Sequence, residues 1–579
     1  MIVGGSNESR TFAERWYPKS FEALRNYSLA KLTADLISGF TVGLVALPLA
    51  MAFGIASGVS PQTGVYTAVI AGFLISALGG SRFQIGGPTG AFVVIIAGII
   101  AKFGISGLLM VTMMAGVLLV VMGITGLGSA VKFIPRPVTI GFTNGIAILI
   151  ASTQIRDFLG LTTPNVPSAF LPRMALLAHF LPTIDPRTLL VGCLSLFVIL
   201  VVPRLSKRVP GTVVALLLAT VLTAVFHFHV ATIGTRFGGI PEGMPMLKIP
   251  RLRLDLVVPL FPSAVTVALL AAVESLLSAV VADSMSGDRH NSNVELIAQG
   301  IANIASPLVG GIPATGAIAR TATNIRAGAV SPISGIVHAL TLLLILVAAA
   351  PLARYIPLAA LAAVLFVVSY NMGDWKEVSV ILRLSKADKA VWAVTLALTV
   401  MADLTVAVEV GMVLAALLYI HRVAQTTTVS AVTEEYIESG RPHILQDKHV
   451  PPYVSILRIH GPFLFGATDK LGDAAEDIAS LAEIVVLRLR NTTAIDSTGL
   501  HALEEFAHKL TAKGRTLLIC GARGQVSHMI NHSPLYNLIG MSNICPDVQS
   551  ALDRASEIVG SFDGVGDDAA VELSRHAPL

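Results

Sequence analysis

From Leu36 to about Ile420 the chain is a nearly unbroken series of apolar segments separated by short breaks. A helix needs about 20 apolar residues to cross a bilayer, and hydrocarbon offers its backbone no outside hydrogen-bond partner. Such a chain folds as a polytopic helical membrane domain. Composition agrees: of 579 residues 54% are hydrophobic and only 13% charged, with a mean hydropathy of +0.75, which excludes a large soluble enzyme. The formal charge of +4, from 40 basic against 36 acidic residues, is too small to argue for nucleic acid as a partner. Cys193, Cys520 and Cys545 provide neither a disulfide framework nor zinc-ligand spacing. With no Walker cluster, metal-ligand set or Ser, His and Asp grouping, neither catalysis nor a cofactor is expected.

Spans are predicted near 36–57, 65–79, 88–102, 106–127, 138–155, 170–182 with an adjoining 187–202, 211–230, 259–282, 294–309, 315–327, 331–351, 357–371, 388–402 and 405–421. Roughly fourteen crossings put both termini on one side. Basic residues identify it as cytoplasmic: Lys19, Arg25 and Lys31 precede the first span, while Lys132 with Arg136, Arg204 to Arg208, Arg383 to Lys389, and Arg422 follow even-numbered spans. The loop with Arg236, Lys248, Arg251 and Arg253 falls outside, against the rule. No apolar run precedes Asp35, so no cleavable signal peptide is expected and the N-terminal segment, 1–34, is expected in the cytoplasm. A bacterial-type inner membrane is the expected location. The transporter domain is assigned to 35–425.

After Arg422 charges become frequent. Strands are predicted at Val454–Ile459, Ile484–Leu489 and Thr516–Cys520 and helices at Gly499–Ala512 and Val548–Val559, giving a small α/β domain at 440–560. The Gly- and Asp-rich tail, 561–579, has no periodicity and is expected to be disordered.

Two short spans begin with unusual clusters, Gly86-Gly87-Pro88-Thr89-Gly90-Ala91 and Gly310-Gly311-Ile312-Pro313-Ala314-Thr315-Gly316-Ala317. Shared elements about 225 residues apart indicate two repeats, and seven spans per half, an odd number, makes them inverted. Pro suits a first helical turn and Gly permits close backbone approach, so each cluster should open a helix inside the membrane. Two facing helix N-termini, each with unpaired N–H groups and about half a positive charge, would form an anion site. The competing reading is that Gly and Pro only kink packed helices.

Glu274 lies in the middle of the eighth predicted span, where an ionised carboxylate is expensive unless paired. Arg320 follows the second cluster by one turn and must face polar surroundings. A Glu274–Arg320 pair would satisfy both and place a cation beside the anion site; a purely structural ion pair is the alternative. Ser275 and Ser278 are weaker signals, since such serines often bond their own backbone. Phe53 follows Pro48, which should kink the first span; alone it is an ordinary aromatic. His338 is assigned to packing, and Asp403 and Glu409 to the membrane edge.

The run Asp35-Leu36-Ile37-Ser38-Gly39-Phe40-Thr41-Val42-Gly43-Leu44-Val45-Ala46-Leu47-Pro48, the Gly87-Pro88-Thr89 cluster, His290-Asn291-Ser292-Asn293-Val294-Glu295-Leu296 and Ile318-Ala319-Arg320-Thr321 resemble the SulP family of anion transporters. The resemblance covers about 20–560, and the C-terminal domain resembles a STAS domain. It implies fourteen spans as seven-plus-seven inverted repeats, folded like uracil permeases into core and gate domains, usually as a homodimer. The implied anion site, between the N-termini of spans 3 and 10, takes in Phe53, Thr89, Gly90, Ala91, Thr315, Gly316, Ala317 and Arg320, with Glu274 and Ser278 as ion-coupling residues. Sodium-coupled bicarbonate carriers of the family have Asp and Thr where Glu274 and Ser278 stand, which weakens a sodium reading. Glu at this position resembles bacterial members that couple anion uptake to protons, including a dicarboxylate carrier. The Ala494-Ile495-Asp496-Ser497-Thr498-Gly499 segment resembles the phosphorylated loop of STAS anti-sigma antagonists, making Ser497 a candidate phosphorylation site; the alternative is that Asp496 and Ser497 only cap a helix.

The expected function is secondary active, proton-coupled transport of sulfate, bicarbonate or a dicarboxylate by alternating access. A sodium-coupled bicarbonate symporter is the alternative; an anion channel or sensor with the STAS domain as receiver belongs to another class. The expected partners are the anion, a proton (sodium in the alternative), membrane lipid, a second copy of the chain, and a regulatory protein or nucleotide on the STAS domain.

Overall fold

The computed structural model describes residues 16–25, 27–128, 135–164, 166–167, 169–205, 210–226, 228–239, 247, 253–373, 375–402, 404–431, 450–476 and 481–560. The chain divides into two compact units, residues 1–415 and 416–579.

The first unit is helical. Its first half contains α1 (Leu29–Ala56), α2 (Pro61–Leu78), the two-residue strand β1 (Gly86–Gly87), α3 (Val93–Ile124), α4 (Arg136–Leu159), α5 (Phe170–His179), α6 (Pro186–Leu205) and α7 (Gly211–Val225). The second contains α8 (Val257–Ser286), α9 (Ser292–Ala305), β2 (Thr315–Gly316), α10 (Ile318–Arg326), α11 (Ile333–Ala353), α12 (Leu358–Met372), α13 (Lys386–Met401) and α14 (Leu404–Thr426), the last running into the second unit. Within α3 the helix breaks at Gly104, whose φ of 69° and ψ of −176° only glycine adopts without strain, so α3 is a short piece followed by a long one. Among the described residues, eight helices are long and apolar enough to cross a membrane. The apolar stretch at 170–202 is two helices, and the stretch at 315–327 is an extended pair followed by a nine-residue helix.

Packing partners repeat between the two halves. Helix α1 packs on α11, as α8 packs on α3; α9 packs on α3, as α2 packs on α11; and α13 packs on α4, as α6 packs on α12. Each pair maps onto its mate when a first-repeat element is replaced by its second-repeat counterpart. Between the halves, β1 pairs antiparallel with β2, Gly86 opposite Gly316 and Gly87 opposite Thr315. The core around this bridge is rich in small residues, including Ala46, Ala50, Ala68, Ala271, Ala272 and Ala360, which lets helices approach closely.

The second unit is an α/β domain with a five-stranded sheet: β3 (Thr428–Ala431), β4 (Val454–His460), β5 (Ile484–Asn491), β6 (Thr516–Cys520) and β7 (Ile544–Cys545), in that spatial order. The edge strand β3 is antiparallel to β4 and the others run parallel. The first six residues of β5 are all buried, because apolar clusters cover both faces. Helix Ser497–Ala512 packs its Leu503, Phe506 and Leu510 into one cluster, and residues 548–560 place Val548, Leu552 and Ala555 into the other. The predicted strands and helices are present. Strand β3 falls at 428–431, which the sequence reading left between its two domains. The predicted disordered tail, 561–579, lies outside the described residues, as does Asp403.

Candidate functional site

Each glycine-proline cluster is extended before it becomes helical. In the first, Gly87 takes a φ of 149°, Thr89 stands at the N-cap with extended backbone, and a 3-10 turn over Gly90–Phe92 leads into α3. In the second, Thr315 and Gly316 are extended and Ala317 is the N-cap of α10. Because β1 and β2 pair side by side, the openings of both short helices come together in the middle of the membrane unit. The summed partial charges of the two N-termini make this region electropositive.

Buried side chains hold the segments that lead in and out. Glu295 accepts hydrogen bonds from the backbone N–H groups of Gly80 (2.9 Å) and Ser81 (3.2 Å), ahead of the first cluster. Asp35 accepts from the N–H groups of Val330 (2.8 Å) and Ser331 (3.1 Å), after α10, and from Tyr27 Oη (2.8 Å). Outside the spans, burial beside Asp35 pushes the Tyr27 hydroxyl up to about 12, so it remains a donor at physiological pH. Asn303 Oδ1 accepts from Ala314 N–H at 2.9 Å, and Thr67 Oγ1 accepts from Ile312 N–H at 2.8 Å, pinning the second cluster.

The expected site residues divide into two groups. Thr89, Gly90, Ala91, Phe53 and Glu274 lie at the mouth of the first half-helix. Thr89 Oγ1 donates to Glu274 Oε2 at 2.8 Å, so the hydroxyl that could cap α3 is committed to the carboxylate of α8. A Cβ built on Gly90 would lie 2.8 Å from Ile150 Cδ1, 3.3 Å from Phe53 Cε1 and 3.4 Å from Met372 Sδ. Gly90 thus faces α1, α4 and α12, where two packed groups of helices meet. Ala91 is buried beside it.

Thr315, Gly316, Ala317 and Ser278 are occupied by the protein itself. Thr315 Oγ1 donates to Ala271 O at 2.9 Å, and Ala317 N–H donates to Ile85 O at 2.8 Å. A Cβ on Gly316 would meet the Gln84 side chain at 1.9 Å, so this glycine makes room for Gln84. Ser278 Oγ donates to Thr321 Oγ1 at 3.0 Å, tying α8 to α10, whereas Ser275 bonds its own helix at Ala272 O, 3.1 Å away.

The expected Glu274–Arg320 pair is not formed. Arg320 Nη2 donates instead to Pro88 O at 2.6 Å, and Nη1 lies over Gly87, where a Cβ would stand 2.5 Å away. Backbone carbonyls of an extended cluster offer a buried guanidinium an acceptor nearer than the carboxylate, which Thr89 already engages. Arg320, one turn after the second cluster, therefore binds the main chain of the first. Sequence reasoning missed Gln84, Thr321 and the two neighbours of Gly90, Ile150 and Met372. Gln84, two residues before the first cluster, was visible as a polar residue flanked by Phe83 and Ile85.

In the soluble unit Asp496 is the N-cap of helix Ser497–Ala512: Oδ1 accepts from Gly499 N–H at 2.7 Å and Oδ2 from Phe465 N–H at 3.0 Å. Ser497 is the first helical residue and is exposed.

Residues 32–395 match the sulfate permease family and residues 446–551 the STAS domain. The chain is 43% identical to YvdB of Bacillus subtilis, which carries the name of a sulfate transporter, over 93% of this chain and 99% of the relative. It is 31% identical to the bicarbonate transporter BicA of Synechocystis over 91% of this chain and 95% of that one. The murine Slc26a9 anion transporter structure superposes with a TM-score of 0.83 at 17% identity, covering 96% of each chain, which shows a shared fold.

Proposed function

We propose a transport cycle for this chain, which belongs to the sulfate permease family and carries a C-terminal STAS domain. It is a multi-pass membrane protein of a transporter family, not an enzyme, and its cargo is an anion. The observation that carries the cycle is the β1–β2 bridge, which brings both half-helix openings and Arg320 to one place with the Thr89–Glu274 hydrogen bond beside them.

In this reading the anion binds at the mouth formed by Thr89, Gly90, Ala91 and Phe53, in the field of two helix N-termini and Arg320. Ile150 and Met372 form the opposing wall, and the core and gate helices move against each other to expose the site on alternate sides. The charges give coupling a direction. An ionised Glu274 repels an arriving anion: two unit charges about 6 Å apart in an effective dielectric of about 20 repel by about 3 kcal/mol, roughly a hundredfold in affinity. Protonating Glu274 removes that repulsion, so proton and anion load together and leave together. A single tetrahedral or trigonal oxyanion suits a site built from backbone N–H groups; sulfate and bicarbonate are the first candidates, from YvdB and BicA. Sodium coupling is the second reading, favoured by the BicA match. Against it, Ser278 is engaged with Thr321.

The remaining parts of the reading are a transporter domain over 35–425, fourteen crossings, both termini in the cytoplasm of a bacterial inner membrane, and a homodimer. Two arginines of the loop that breaks the positive-inside pattern are neutralised, Arg236 by Asp157 at 2.6 Å and Arg253 by Asp255 at 2.7 Å. The STAS domain, over 440–560, is assigned a regulatory or assembly role. Asp496 capping supports the structural reading of Ser497, since a phosphate there would adjoin a carboxylate already holding the helix N-terminus.

Flux into liposomes of purified protein, with labelled sulfate, bicarbonate and dicarboxylates under imposed pH or sodium gradients, tests the cycle. Accumulation driven by an inward proton gradient is expected. Accumulation driven only by sodium selects the second reading, and passive flux with neither overturns coupling.

A further inference from the structure

The sheet of the second unit carries a row of side chains that the transport cycle does not use. In the register of its parallel strands, Arg458 of β4 stands opposite Arg488 of β5, Arg488 opposite Cys520 of β6, and Cys520 opposite Cys545 of β7. Residues level with one another in a parallel sheet point to the same face, here the face covered by the helix at 548–560. On that face the earlier residues of β4 and β5 are Val454, Ile456, Ile484 and Val486, all packed in an apolar cluster. The arginines therefore begin where this core ends, at the carboxyl ends of the strands. In open α/β sheets that is the edge at which ligands bind.

Arg488 is 6% exposed, and among the described residues no side chain or carbonyl is hydrogen-bonded or ion-paired to it. Its charged neighbours are cations: the guanidinia of Arg490, two residues on, and of Arg458 both act on it. Burial first, and then those two charges, lower its pKa, yet a guanidinium does not deprotonate in a protein, so the repulsion stays. The thiol beside it offers no compensation, because burial pushes Cys520 up to about 12 and keeps it neutral. The carboxylate at this edge, Asp547, accepts from the N–H groups of Gln549 (2.8 Å) and Ser550 (3.0 Å) and so caps the start of the 548–560 helix. Gly521 leaves Arg490 without a side chain against it, where a Cβ would stand 3.3 Å from Arg490 Cβ.

A buried cation among cations is costly by itself and is stabilised by an anion brought to it. We propose that Arg488 and Arg490, with Arg458 alongside, form a binding site for a small multivalent phosphate at the carboxyl edge of the STAS sheet. Guanidinium forks match phosphate oxygens two at a time, and guanidinia side by side suit an ion with several negative charges better than a single carboxylate. The ligand is small because Arg488 is nearly covered, and a protein surface does not reach into it.

This site does not depend on the transport cycle, and the experiment keeps the two apart. Purified full-length protein would be titrated calorimetrically with pyrophosphate and compared with Arg488→Met, Arg490→Gln and Arg320→Ala. Pyrophosphate should bind the unmutated chain, less tightly as salt is raised. Arg488→Met and Arg490→Gln should each weaken binding about tenfold or more, the scale of one charge-assisted hydrogen bond. Arg320→Ala should leave it unchanged, since Arg320 belongs to the other unit. Absence of binding at millimolar pyrophosphate overturns the inference. Binding that Arg488→Met and Arg490→Gln both keep overturns it as well, and its loss in Arg320→Ala would then put the ion in the membrane unit. Should Arg488→Met fail to fold, Arg490→Gln, at an exposed residue, carries the same test.

Discussion

In the proposed site Arg320 supplies the positive charge, and its bond to Pro88 O gives it a second duty, fixing the first cluster's extended backbone. Arg320→Ala should lower anion uptake about a hundredfold or more, the scale of losing one charge interaction in a low-dielectric site, while also leaving Pro88 O without its donor. Uptake by purified, monodisperse mutant protein checks this; Arg320→Lys should recover part of the affinity, since it keeps the charge and loses the fork. In the proposed cycle Glu274 acts through its own ionisation. Glu274→Gln mimics the protonated carboxyl and still accepts from Thr89, so it should bind anion and support exchange without responding to an imposed proton gradient. Accumulation by this variant that still follows the pH gradient would assign coupling elsewhere.

At the scale of elements, the two half-helices look alike in sequence and differ in what their glycines face. Gly90 opens toward the flexible ends of Ile150, Phe53 and Met372, whereas Gly316 abuts a buried Gln84. Gly90→Val should therefore block uptake with little change in melting temperature. Gly316→Ala should displace the Gln84 amide and destabilise the membrane unit by about 1–3 kcal/mol, the cost of overpacking. Paired melting and flux measurements distinguish these outcomes, and equal behaviour of the two glycines would show that the clusters only kink packed helices. In the soluble unit, Asp496→Ala removes an N-cap and the tie to Phe465, and should cost about 1–2 kcal/mol of local stability. Faster amide exchange at Gly499 and Phe465 in the full-length protein is the corresponding measurement.

For the whole molecule, the residues of the proposed anion site all come from the membrane unit and the second unit has its own two-sided apolar core. Removing the STAS domain should then change expression, rate or regulation and leave anion selectivity as it was. The edge strand β3 places the cut before Thr428, because truncation within 428–431 would leave part of a strand without its sheet. A flux assay of the truncated protein that showed altered selectivity among anions would contradict the division of labour.

Helical membrane character, the positions of the apolar helices, the two glycine-proline clusters and the α/β character of the C-terminal domain were legible in the sequence, because each follows from local rules: hydropathy over one helix length, the conformational limits of Gly and Pro, and the alternation of strand and helix patterns. Glu274, Ser278 and Arg320 stood out as candidates for the same reason, as polar groups where hydrocarbon forbids them. Their partners did not. Glu274 and Arg320 suggested a pair, since opposite buried charges attract, yet each has a neutral partner from the first cluster, Thr89 and Pro88. Gln84 and Ile150 carried no signal that tied them to Gly316 or Gly90, some 232 and 60 residues away. Which polar group meets which is set by the register of β1 on β2 and by helices that cross between repeats, and no local pattern encodes a distance across the fold.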